Sequence, residues 1–135
     1  MAIRRRSRMS VNPELRAAFG AFGRTLAAVE GGKESLAAAA PRGRGSGVPL
    51  AEALAGFEEG LSQAEASMAA WRREEVTDVW DRCARSLRES ERRAERLRLG
   101  SAPQGYDQLY GVLGELMEPL DAFGAALDRF RRLGV

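Results

Sequence analysis

From Leu50 to Trp71 the large apolar residues stand at Leu50, Leu54, Phe57, Leu61, Met68 and Trp71, with Ala64 keeping the register, so that spacings of four and three alternate without error. Such a pattern draws one apolar stripe along an α-helix, of the kind that packs as a coiled-coil seam. A half-buried strand would instead show a period of two. The same spacing recurs in three other stretches. Leu15, Phe19, Phe22, Leu26 and Val29 form one stripe, which resumes at Leu36 after a weak point at Gly31, Gly32 and Lys33. Val76, Trp80, Cys83, Leu87, Ser90, Ala94 and Leu97 form the next, and Tyr106, Leu109, Leu113, Leu116, Leu120, Phe123, Leu127 and Phe130 the last. An all-α fold is the expectation.

The ends of these stretches carry their own signals. Asn12 suits an N-cap, Pro13 the first helical position and Glu14 the positive end of the helix dipole, so the first helix is expected to begin near residue 13. The run PRGRGSGV at 41–48 stops it after Ala40 and reads as a flexible loop. Gly100, Ser101, Ala102 and Pro103 form a second stop, and Pro119 is expected to kink the last helix. Between Trp71 and Val76 the step is five residues, which turns the stripe away from its line. Thr77, followed by Asp78 and Asp81, is a candidate cap for a new helix there, whereas the lack of Gly or Pro from 61 to 99 favours continuity. A break yields segments 13–40, 49–73, 77–99 and 105–133 of similar length. With short connections, these make an antiparallel up-down-up-down four-helix bundle with coiled-coil-like heptad seams. Continuity yields the alternative, one long central helix over 49–99 flanked by two shorter ones. The organisation expected is a disordered basic arm at 1–11 and a single helical domain over 12–135.

Composition narrows the chemistry. The chain has no histidine and one cysteine, Cys83, so an internal disulfide and a Cys/His metal cage are both closed to it, as are Ser-His and Cys-His nucleophiles. Di-metal helical bundles use Glu-x-x-His pairs, which are missing too. No pair of carboxylates is singled out by an apolar neighbourhood. The expectation is therefore a protein without catalytic activity, without a cofactor or metal, and without a small-molecule substrate. No stretch is apolar enough to span a membrane, and the residues after the arm lack the unbroken apolar run of a signal peptide, which points to the cytoplasm.

Three features could carry function. Arg4, Arg5, Arg6 and Arg8 cluster in the arm and could pair with phosphates of nucleic acid or acidic lipid, or serve only as a solubilising tail. Removing these four arginines from a net charge of +2 leaves −2, so the remainder is not basic. The second feature is the segment 82–98, with seven arginines against three glutamates; Arg85, Arg92 and Arg96 are its candidate anion-binding residues. The stretches 50–70 and 106–128 hold acidic residues and no basic ones, so the bland reading is that acidic helices flank a basic one and set the pairing order. Third, Trp71 and Trp80 lie on either side of the register step, where they either close one end of a core or form an exposed patch for a partner. Glycine pairs at 20 and 23, 56 and 60, and 111 and 114 read as points of close helix approach. Together these features point to a small interaction or scaffold protein that binds a protein partner or itself through apolar helix faces. The alternative is a binder of anionic surfaces through the arm and the arginine-rich helix.

Overall fold

A computed structural model describes residues 12–41 and 46–135. The basic arm at 1–11 and residues 42–45 of the expected loop lie outside the described residues. Among the described residues the chain is helical without strands. Helix α1 spans Pro13–Ala37, α2 Leu50–Ser67, α3 Thr77–Leu99, α4 Gly105–Met117 and α5 Ala122–Arg132. A 3₁₀ turn, Glu118–Asp121, joins the last two into one bent segment, so the described residues form four helical segments.

α1 starts as its sequence requires: the Asn12 side chain accepts the Glu14 amide at 2.9 Å, with Pro13 at the first position. It ends at Ala37 rather than Ala40, where the amides of Ala39 and Ala40 tighten onto the carbonyls of Leu36 and Ala37. The Gly31-Gly32 step does not interrupt it. Gly32 is buried against α2, and a β-carbon on Gly60 would lie 2.6 Å from the Gly32 Cα. These two backbones touch only because neither residue has a side chain. Of the paired glycines, Gly56 and Gly60 pack closely, whereas Gly20, Gly23, Gly111 and Gly114 have nothing within 4 Å of a built β-carbon.

The long helix over 49–99 does not exist. α2 ends at Ser67 and tightens into a 3₁₀ turn, Met68–Trp71; Arg72 and Arg73 are extended, and a second 3₁₀ turn, Glu74–Val76, leads into α3. The five-residue step is the cause, because a continuous helix could not bring both Trp71 and Val76 to the core, and both are fully buried. Two polar contacts hold the break. The Trp71 indole donates to Thr25 Oγ1 at 3.1 Å, and the Trp80 indole donates to the Met68 carbonyl at 2.8 Å, serving an acceptor at the end of α2. Thr77 is the first helical residue rather than a cap; its hydroxyl donates to the Arg73 carbonyl at 3.1 Å.

At the next connection Gly105 takes a φ of +78°, in the left-handed region where glycine is at ease. Pro119 lies in the 3₁₀ turn between α4 and α5, at the kink it was expected to cause. One hydrophobic cluster runs from Leu15 to Phe130 and takes residues from every segment. Leu54, Leu87 and Leu113 are all buried in it. Its centre is aromatic: Phe22 lies 4.9 Å from Trp71 and 5.1 Å from Phe130, ring centroid to centroid. Tyr106, expected to open the last stripe, is instead 67% exposed, one turn ahead of Leu109 where α4 begins to pack.

Candidate functional site

Of the anticipated residues, Arg4, Arg5, Arg6 and Arg8 lie outside the described residues. Arg85, Arg92 and Arg96 are brought together on the outer face of α3, opposite the buried line Val79, Cys83, Leu87, Ser90 and Ala94. Arg82 and Arg88 are exposed beside them. Arg85 and Arg96 make no ion pair among the described residues, and Arg92 reaches Glu89 at 3.5 Å with its side chain 65% exposed.

Other arginines of this helix turn to its neighbours. Arg93 donates to the Glu115 carbonyl at 2.6 Å and to Glu89 at 3.0 Å, and stands 3.8 Å from Glu118. Arg98 pairs with Glu58 of α2. Arg129 of α5 grips Asp78 of α3 with two bonds, 2.8 and 2.7 Å. These partners hold Asp78 and Glu89 below the usual carboxylate range. Arg93 and Arg98 of α3 thus reach acids of the neighbouring segments, whereas at Asp78 the polarity is reversed, and the outer arginines of α3 remain exposed.

The tryptophans form no exposed patch. Trp71 is fully buried, and Trp80 is half-buried with the Arg72 guanidinium 4.6 Å over its ring. The exposed large apolar residues lie elsewhere: Leu99 is 78% exposed, and Leu99, Tyr106 and Tyr110 flank the connection between α3 and α4. There the helices part into an open groove of about 510 Å³. Leu97, Val112 and Leu116 line its floor, with Arg96, Glu115 and Glu118 among the charged residues around them. A second hollow of about 420 Å³, along Ser101 to Gln104 and Gln108, shares Ser101, Val112 and Glu115 with it, so the two form one depression.

No family model, curated protein or solved structure matches this chain.

What the face can do follows from its own chemistry. An apolar floor bordered by charges of both signs suits a protein surface better than a small anion. Among the described residues no group of His, Cys, Asp or Glu is placed to hold a metal ion, and no helix is long and apolar enough to cross a membrane. Cys83 is buried, and desolvation pushes its thiol up to about 12, far from a reactive thiolate. One titratable site escaped the sequence reading. Desolvation pushes Glu91 of α3 up to about 7, reinforced by a hydrogen bond and repulsion from Glu65 of α2, with Arg88 opposing. Nothing in the spacing of Glu65 and Glu91 along the chain announces that they meet. The groove was equally hidden, because Leu97 and Leu116 read as ordinary stripe positions and Val112 lies off the stripe; the alternation of basic α3 with acidic α4 was its one visible sign.

Proposed function

We propose that this chain is an up-down-up-down four-helix bundle with heptad seams that acts without catalysis, binding another protein, or itself, through the open face between α3 and α4. The carrying observation is the open groove floored by Leu97, Val112 and Leu116, in a chain whose stripes are otherwise largely buried in its own core. A helix laid into that groove is the expected mode, with Leu97, Val112 and Leu116 as its apolar floor and the charged residues around them setting orientation. The lone buried thiol suits the reducing cytoplasm. A photo-crosslinking side chain placed at Gln108, in the depression, should yield protein adducts in the native host, and one placed at Gln63, exposed on α2, should not. Equal labelling at both positions, or none, would remove the reading.

A second reading has one observation in its favour, the exposed row Arg82, Arg85, Arg88, Arg92 and Arg96. It assigns α3 and the arm to an anionic surface, nucleic acid or acidic lipid. Filter-binding and vesicle-pelleting assays would then show steeply salt-dependent binding that is lost on deleting residues 1–11 or reversing Arg85 and Arg92. Binding insensitive to salt and to both changes sinks it.

A further inference from the structure

We infer that the occupant of the α3–α4 face is a second copy of this chain, related by a two-fold axis parallel to the two helices. This rests on the docking-face reading above and names its partner. α3 presents the outward arginines Arg82, Arg85, Arg88, Arg92 and Arg96 against the exposed acids Asp81 and Glu95, while Asp78 and Glu89 are held by Arg129 and Arg93. Beside it, the segment from Tyr106 to Asp128 has no basic residue, and its Glu115, Glu118 and Asp121 are exposed. One chain thus carries two adjacent faces of opposite sign, which is what an isologous interface needs.

The register of the two helices aligns these charges. Ser90 Oγ donates to the Leu116 carbonyl at 2.9 Å, Arg93 to that of Glu115 at 2.6 Å, and the Cys83 thiol to that of Ala122 at 3.6 Å. Residue numbers rise along α3 as they fall along its neighbour. Counted outward from these bonds, Arg85, Arg88 and Arg92 stand within about one residue of the levels of Asp121, Glu118 and Glu115. A two-fold along the seam between the helices lays each α3 over the partner copy's α4 without sliding it along the axis. Three arginines then meet three acids twice over. The aliphatic stem of Arg96 borders the groove floor, and Leu99 falls at the level of Tyr106.

Sedimentation equilibrium of the full chain tests this. At low salt it should give the mass of a dimer at concentrations of hundreds of micromolar or below, with association weakened at least about tenfold near 0.5 M NaCl. The double variants R85E/R92E and E115R/E118R, with helix content and melting checked by circular dichroism, should each be monomeric. Mixed in equal amounts they should form a heterodimer, because reversed α3 then meets reversed α4. A monomeric wild type, variants that self-associate as the wild type does, or a mixture that stays monomeric would each overturn the inference. A monomer that still yields host adducts from position 108 overturns the second copy and leaves the docking face standing. A monomer that binds duplex DNA or phosphatidylserine vesicles overturns it in favour of an anionic surface.

Discussion

Glu91 shows how position alone changes the chemistry of a side chain. Facing Glu65 and Glu58 of α2 with Arg88 beside it, its carboxyl is pushed up to about 7, first by desolvation. A group with a folded pKa above its unfolded one holds its proton more tightly when folded. Its stabilising contribution is therefore complete below the ordinary range near 4.5 and is lost as pH rises through about 7. E91Q mimics the protonated form. It should melt higher than the wild type at about pH 7.5 and level with it near pH 4.5, by on the order of 1 kcal/mol, or ~3 °C, once solvent screening is counted. A difference independent of pH would show that Glu91 titrates normally. Asp78 and Glu89 act in the opposite sense, since their lowered values make their contribution vanish as pH falls. Thr25 is the second decisive residue. It is buried, bonded to Ser67 and accepts the Trp71 indole, so T25V leaves a buried donor unpaired. A loss of about 1–3 kcal/mol in urea-unfolding free energy is expected. An unchanged midpoint would mean that the indole finds another acceptor.

Among the elements, α1 and α2 form the tightest pair, because Gly32 and Gly60 let their backbones meet. G60A inserts a β-carbon 2.6 Å from the Gly32 Cα and 2.8 Å from the Ala28 carbonyl oxygen, which forces the helices apart. It should cost about 1–3 kcal/mol in thermal or chemical unfolding. G20A is the contrast. Its β-carbon meets nothing within 4 Å on an exposed helical position, so a gain of roughly 0.4–1 kcal/mol is expected. Equal effects at both positions would contradict the close approach. The break between α2 and α3 belongs to this scale too. It is held not by glycine or proline but by two tryptophans that both need partners, which is why residues 61–99 looked continuous.

Across the whole molecule, one cluster joins Leu15 of α1 to Phe130 of α5 through an aromatic centre that includes Trp71. No segment buries its stripe alone. Unfolding should therefore be one cooperative transition, with tryptophan fluorescence and far-ultraviolet circular dichroism following the same urea curve. Separated midpoints would show that α1 and α2 fold apart from α3, α4 and α5. The same burial underlies the proposed docking face. With the stripes turned inward, Leu99, Tyr106 and Tyr110 remain exposed around the α3–α4 connection and Val48 before α2, and the open groove lies between α3 and α4.

Period and punctuation are local properties, and they were readable along the chain. Four stripes of helical spacing, the Asn12-Pro13 start, the stop at residues 100–103 and the kink at Pro119 all follow from the geometry of one helix at a time. Juxtaposition is not local. That Gly60 meets Gly32 rather than pairing with its sequence neighbour, that Trp71 is wholly buried, that Glu91 faces Glu65, and that Leu97 and Val112 floor a groove all depend on how the helices turn about their axes. Those rotations are settled by packing between segments far apart in sequence, to which spacing within one segment is blind.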